Sequence, residues 1–288
     1  MFRVFAPAKI NLCLAVTGQR ADGYHLLDTV VGFADVGDFV TVAHGARGLE
    51  IMGPESAGLM GDNIITRVMA AFGGDGLSVI LHKNLPVASG IGGGSSDAAA
   101  TYRGLCAVQN RSQTAADMAQ LLALGADVPM CAAALSARAR GIGEDITPLP
   151  NLARLHAVLV NPRVHVATPQ VFNALIQKEN TPLDVLPADL IDPVSLVTWL
   201  TVQRNDLQPA AIQVAPVIAH VLAEIADTGA DLVRMSGSGA TCFGIYQGAA
   251  AARAAGAALR AAHPNWWVAP CIINGGADVS PQAIRATT

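Results

Sequence analysis

An α+β chain in two parts that meet near residue 150 is the fold class the sequence predicts, and three observations predict it. Short apolar runs rich in β-branched residues, separated by Gly, Asp and Pro, occupy the opening of the chain. Small-residue and capped helical segments then run from Ser95 to Gly125. Residues 147–151 carry Pro148 and Pro150, and strand and helix signals begin afresh beyond them. At 288 residues the chain has room for two domains, expected at 1–150 and 151–288.

In order along the chain, strands are expected at residues 3–5, 11–16, 29–34, 39–43 and 77–82. Asp62 is placed to cap a helix over 63–72, where Ile64, Ile65, Val68 and Met69 recur at helical spacing and Gly73-Gly74 ends the run. Pro86 breaks the chain, a glycine-dense loop follows, and a small-residue helix is expected over 95–108. Ser112 or Thr114 caps the next helix, which stops at Gly125 before Asp127-Val128-Pro129. The second part opens with a strand over 156–160. Thr168-Pro169 then gives a helix start, with Thr as cap and Pro in the first turn. Residues 181–193 read as a proline-rich loop, followed by a helix over 217–226 and strands over 232–235 and 241–246 around a turn at 236–239. An Ala-rich helix and a strand over 267–273 finish the pattern.

Bulk composition excludes several function classes. The chain is 52% hydrophobic and 14% charged, enough apolar residues for a large core and too many for a disordered chain. A net charge of -4 argues against nucleic acid as a partner, because backbone binding needs a basic face. Every long apolar run is interrupted by Arg, Asp, Gly or Pro, so no membrane span is expected. The opening residues lack the basic start, apolar stretch and cleavage site of a secretory signal. The five cysteines (13, 106, 131, 242 and 271) form no CxxC pair and no zinc spacing with His, and read as reduced core thiols of a cytoplasmic protein.

The segment richest in chemistry is 86–100. Gly90, Gly92, Gly93 and Gly94 let the backbone turn successive N–H groups onto one point. The helix that follows adds unpaired amides and the positive end of its dipole, and Ser95 and Ser96 add hydroxyls where a phosphate oxygen or a metal could sit. The plain alternative is a flexible loop with a Ser cap. No Lys follows the last glycine, so this is not a Walker A loop, and the spacing does not reproduce GxGxxG after a first strand. Lys9, one of only three lysines, lies in an apolar segment and reads either as a side chain snorkelling from a strand edge or as a paired cation. Asn11, two residues on, faces the same side of a strand.

Three motifs in order, residues 6–12 (APAKINL), 86–96 and 236–241 (SGSGAT), resemble those of the GHMP kinase superfamily. Residues 18–25 (GQRADGYH), 92–99 (GGGSSDAA) and 125–129 (GADVP) narrow the resemblance to its 4-diphosphocytidyl-2-C-methyl-D-erythritol kinase family, over essentially the full length. The resemblance implies an N-terminal domain like domain 2 of ribosomal protein S5, a smaller C-terminal α/β domain, and an active site in the cleft between them. It implies ATP as cosubstrate, in the non-mevalonate route to isoprenoid precursors, and phosphorylation of the 2-hydroxyl of the diphosphocytidyl alcohol. On this basis Asp127 is expected as the base and Lys9 as its cationic partner. Pro86, Val87, Ala88, Ser89, Gly90, Ile91, Gly92, Gly93, Gly94, Ser95, Ser96, Gly237, Ser238 and Gly239 are expected around the nucleotide, with Asn63 and Lys83 near the adenine. Asn11 would hold a substrate oxygen. Tyr24 would stack on the cytosine, His25 bond its edge, and Phe172, with Thr168 and Pro169, close the opposite face. The loop has Ile91 where the family usually has Leu. Mg²⁺ is expected from the chemistry of ATP, but the acidic ligand that many superfamily members place beyond the loop is not identifiable, and oligomeric state is open. The rival readings are a sister kinase of homoserine or mevalonate and a non-catalytic nucleotide-binding module. An RNA-binding role suggested by the S5-like fold is disfavoured by the acidic balance.

Overall fold

The structure, a computed structural model, describes residues 1–284 apart from 47, 58 and 60–62. Its spine is β1 (Phe2–Gln19), antiparallel to β2 (His25–His44) over nearly the whole length of both. The sequence reading splits each into two strands. Breaks expected at Pro7 and around Val36–Gly37 are instead absorbed: the register shifts between Pro7 and Lys9, so Pro7 is accommodated at a bulge without ending the strand. That bulge also lets the Lys9 amide donate to the Ile91 carbonyl, 2.9 Å away.

Strand β3 (Gly48–Met52) lies parallel to β4 (Leu77–His82), which pairs with the far half of β2. Between them α1 (Ile64–Ala71) buries Ile65, Val68 and Met69. Its cap is Asn63, whose Oδ1 accepts from the Ile65 amide at 3.0 Å; the expected cap, Asp62, lies outside the described residues. Helix α2 (Gly93–Val108) starts two residues earlier than expected, so Gly93 and Gly94 form its first turn. Its small residues Ala98, Ala99 and Ala100 are fully buried, and α2 packs on β1 and β2 and also against α1 and α4. Helix α3 (Ala115–Leu124) has Thr114 as cap, closed reciprocally by Asp117, and ends at Gly125. Next come α4 (Val128–Ala133), β5 (Ala137–Gly141) and β6 (Asp145–Pro148). Neither strand was expected. They escape because the alternation in β5 hides an arginine: Arg138 is buried and forked onto both oxygens of Asp28 at 2.7 and 2.6 Å.

The second half adds β7 (Leu155–Asn161), α5 (Thr168–Ala174), α6 (Pro193–Val202), α7 (Gln208–Val214), α8 (Val217–Asp227), β8 (Leu232–Met235), β9 (Cys242–Tyr246), α9 (Ala249–Ala262), β10 (Trp267–Ile273) and β11 (Gln282–Ala283). Helix α5 corrects the expected cap: Thr168 is its first residue and Ala167 the cap, which frees the Thr168 hydroxyl for Ser238. Helix α6 begins where a loop was expected to end, with Pro193 in its first turn and Asp192 accepting from the Val194 and Ser195 amides.

Among the described residues the strands join in one sheet, in the order β11-β1-β2-β10-β7-β9-β8, with β4 and β5 also on β2. One core, around Val4, Val42, Ile65, Leu81, Tyr102 and Leu105, draws on the first half. A second packs Ile10, Leu12, Leu85 and Ile91 against Leu155, Leu159, Leu200 and Phe243, so both halves build it. A third joins Leu14 and Val16 to Val158, Ile218, Val221 and Met235. The middle of β1 is therefore locked from both sides. No helix among the described residues is long and apolar enough to cross a membrane. All five cysteines are buried and unpaired, and burial pushes the Cys13 thiol up to about 12.

Candidate active site

A cavity of about 710 Å³ opens between the start of α2, the middle of β1 and β2, and the α5 region. Its floor is the glycine segment. Gly92 takes the left-handed conformation (φ 63°) and caps α2 without a side-chain bond, so the amides of Gly93, Gly94 and Ser95 have no intrahelical acceptor. A Cβ on Gly94 would have no protein atom within 4 Å, which leaves open space over the helix terminus. Together these make a preformed anion cradle.

A second glycine turn closes on the first. The Ser236 hydroxyl donates to the Gly90 carbonyl at 3.0 Å and accepts from the Asn11 amide at 3.1 Å. A Cβ on Gly90 would stand 2.6 Å from the Ser236 carbonyl oxygen, so the two backbones touch directly. Asn205 pins the second turn by donating to the carbonyls of Met235 and Gly237 at 2.8 and 2.9 Å. Gly237 and Ser238 reach the cavity wall, Ser238 bonded to Thr168 at 2.8 Å, while Gly239 lies behind it.

Across the cradle stands Asp127. It occupies the cap position of α4, yet its side chain makes no capping bond. Its Oδ2 accepts instead from the Lys9 Nζ at 2.6 Å. The lysine side chain is 8% exposed and the carboxylate 38%, so the cation is held inside and the carboxylate faces the cavity. The Lys9 stem runs past Gly92, whose Cβ would meet it at 3.0 Å. Lys9 is thus the paired cation and not a snorkelling side chain.

Of the other expected residues, Asn11, Asn63, Pro86, Val87, Ala88, Ser89, Gly90, Ser95, Thr168, Pro169 and Phe172 lie on the wall. Asn11 donates from Nδ2 to the Thr29 hydroxyl at 2.8 Å. Ile91 and Ser96 are fully buried; the Ser96 hydroxyl, expected at the anion, donates inward to the Pro7 carbonyl at 2.7 Å. Tyr24 is not brought to the wall but stands 62% exposed on the turn before β2. What meets Phe172 is His25, their ring centroids 4.7 Å apart and planes 24° from parallel. The His25 Nε2 is buried with no partner among the described residues.

Lys83 is buried, with its Nζ 2.5 Å from Asp38 and 2.6 Å from Asp97, directly beneath Gly93. Asp38 also accepts from the Asn84 and Leu85 amides. Burial pushes the Asp97 carboxyl up to about 8 against the pull of Lys83, and its Oδ1 has no partner among the described residues. Sequence reasoning gave no role to Asp38, Asp97, Asn205 or the wall residue His165, and named Ser236 only as part of the second glycine turn. Only Asp97 and Ser236 carried a local signal, each lying inside a glycine motif.

Two facing glycine turns, with a lysine–carboxylate pair across them on an α+β scaffold, define a small-molecule kinase of the GHMP class. Residues 62–136 match the GHMP kinases N terminal domain and residues 192–265 the GHMP kinases C terminal domain. The chain belongs, within that class, to the 4-diphosphocytidyl-2-C-methyl-D-erythritol kinase family. It is 48% identical to the kinase of that name from Roseobacter denitrificans over 282 residues, covering 96% of this chain and 94% of the relative. It is 51% identical to that of Dinoroseobacter shibae over 276 residues, covering 93% and 94%. A crystal structure of 4-(cytidine 5'-diphospho)-2C-methyl-D-erythritol kinase superposes with a TM-score of 0.78 at 32% identity, over 95% of this chain and all of that one. A homoserine kinase from Cytophaga hutchinsonii shares the fold, with a TM-score of 0.64 at 20% identity over 98% of this chain and 97% of the other.

Proposed function

We propose that this chain transfers the γ-phosphoryl group of ATP to the 2-hydroxyl of 4-diphosphocytidyl-2-C-methyl-D-erythritol, with Asp127 as base and Lys9 as its electrostatic partner. The observation that carries the reading is the path of Lys9: its stem touches Gly92 of the cradle and its Nζ holds Asp127, 2.6 Å away. One side chain thus fixes the carboxylate within a lysine's length of the anion site, and phosphoryl transfer asks a protein mainly for such positioning. The alcohol oxygen bonds to the γ-phosphorus as its proton passes to Asp127, the bond from that phosphorus to the bridging oxygen breaks, and ADP leaves. Amides of Gly93, Gly94 and Ser95 hold phosphate oxygens through the transfer.

Magnesium enters the same reading. The unpartnered Asp97 Oδ1 is a hard oxygen donor beside the cradle, and a divalent cation there would favour the ionised carboxylate that burial alone opposes. The ion would neutralise charge on the β- and γ-phosphates. For the substrate's base, the orphaned His25 Nε2 beside the Phe172 ring supports recognition of a flat, polar-edged heterocycle. A division of labour near residue 150 is supported by the first core, which draws only on the chain before that point. A reducing, cytoplasmic setting is supported by the five unpaired thiols, and the net charge of -4 speaks against a nucleic-acid partner.

The test is a coupled ADP-release assay with purified protein, offering the diphosphocytidyl alcohol or homoserine. Turnover on the first and none above background on the second is expected. In Asp127→Asn, kcat should fall by roughly 10²–10⁴ with ATP affinity kept. Turnover on homoserine alone would overturn the substrate, and an unchanged kcat in the variant would overturn the base.

A further inference from the structure

Away from the cavity, the end of α9 meets the exposed side of α8, and three metal-ligating side chains converge there. His220 and Glu224 are one helical turn apart on α8, so both project from one face. His263 caps the end of α9 and reaches the same point. Its Nε2 is 2.8 Å from the Glu224 Oε2, while the His220 Nδ1 is 3.8 Å from Oε1 of the same carboxylate. The three ligand atoms lie within 4.8 Å of one another.

The rings are held by packing. Trp266 stacks on His263 with centroids 3.7 Å apart and planes 10° from parallel, and the His220 ring stands edge-on to both. The turn that brings Trp266 back is closed by its amide, bonded to the His263 carbonyl at 3.0 Å. A plain surface contact would explain His263 with Glu224. The i,i+4 spacing on α8 adds a second imidazole, edge-on to the same tryptophan and 3.8 Å from the other oxygen of that carboxylate.

We propose that His220, Glu224 and His263 bind one divalent transition-metal ion, Zn²⁺ by preference, and so clamp the end of α9 to α8. Two imidazoles and a carboxylate are a three-ligand zinc set with one position left for water. The nitrogen donors disfavour magnesium and calcium, which take oxygen, so ATP-bound magnesium would not compete. Tetrahedral zinc with bonds of about 2.0–2.2 Å spaces its ligand atoms roughly 3.4 Å apart. The ligand atoms stand 2.8 Å (His263 Nε2 to Glu224 Oε2) and 3.8 Å (His220 Nδ1 to Glu224 Oε1) apart and all lie within 4.8 Å, so small side-chain rotations bring them to that spacing.

Chelator-stripped full-length protein, titrated with ZnCl₂ against a chromophoric zinc competitor, tests this without reference to kinase activity. One equivalent should bind and raise the Tm. Affinity should fall in His220→Ala and in His263→Ala by more than the roughly 10–100-fold that loss of a supporting group costs. Glu224→Gln keeps the packing of the rings and guards against misfolding as the cause; it too should lose the ion. Absence of a zinc equivalent in the unaltered protein overturns the site, as does unchanged affinity in His220→Ala and Glu224→Gln.

Discussion

Phe172, on the cavity wall, lies against the imidazole of His25 and so joins α5 to the first residue of β2. Burial, and secondarily Lys178, hold His25 below the usual histidine range, so the ring is neutral near neutral pH, with one donor and one acceptor nitrogen. Truncating the stacked partner in Phe172→Ala removes about 0.5–1.5 kcal/mol of ring contact, so KM for the diphosphocytidyl substrate should rise roughly two- to tenfold. Steady-state kinetics with each substrate varied in turn checks it; a change confined to the ATP KM would move the pair to the nucleotide side.

Lys9→Met separates charge from packing. The thioether side chain keeps an apolar stem beside Gly92 and loses the Nζ held by Asp127. Removing one preorganised electrostatic partner from a reacting site costs about 10²–10³ in kcat. The ATP KM should hardly move, because the cradle is made of backbone. Should the ATP KM rise while kcat holds, Lys9 serves the phosphates and not the carboxylate.

How far the sequence speaks depends on the distance over which each feature is encoded. Helix α3 was legible because Thr114, Asp117 and Gly125 state its start and stop locally. Strand β8 was legible because its four residues are bounded by turn signals on both sides. Strands β1 and β2 were cut in two because Pro7 and Gly37 look like breakers until they are seen facing each other at a bulge. Helix α6 was lost to its own first-turn proline, the residue that in fact starts it. In the site, the glycine cradle announces itself, but the Lys83–Asp38–Asp97 cluster does not, since Asp38 arrives from a strand paired with β4 and leaves no local mark. The bond between Lys9 and Asp127 was expected only through family resemblance, because nothing in either neighbourhood points to the other.

Gly90 and Gly76 share a φ of +73°, and the comparison isolates contact from backbone strain. A Cβ on Gly76 meets nothing within 4 Å, so Gly76→Ala should cost only the left-handed penalty, about 1–2 kcal/mol. A Cβ on Gly90 meets three backbone atoms of the facing turn at 2.6–2.7 Å, none of which can rotate away. Gly90→Ala should lose about 1–3 kcal/mol more than the control and weaken ATP binding as the turns part. Urea unfolding of both variants gives the difference, and equal losses would mean that the two turns are not pressed together.

Asp117 offers a pH-dependent test of the helix that leads to Asp127. Burial works against its charge, but hydrogen bonds from Tyr102 at 2.8 Å, Arg111 at 2.9 Å and the Thr114 amide at 2.9 Å prevail and hold it at about 2, against 3.8 for a free aspartate. A carboxyl depressed in the folded state binds fewer protons than in the unfolded chain between those values. Stability from the charge is therefore complete above the unfolded value and drains away as pH falls through 3.8 toward 2. Asp117→Asn lacks that term at every pH. Its Tm should trail the parent by a constant margin above about pH 5, and the margin should shrink steadily on acidification below about pH 4. Calorimetric scans across that range decide it, because a deficit that stayed the same at low pH would trace the loss to the shape of the capping box and not to the ionised carboxylate.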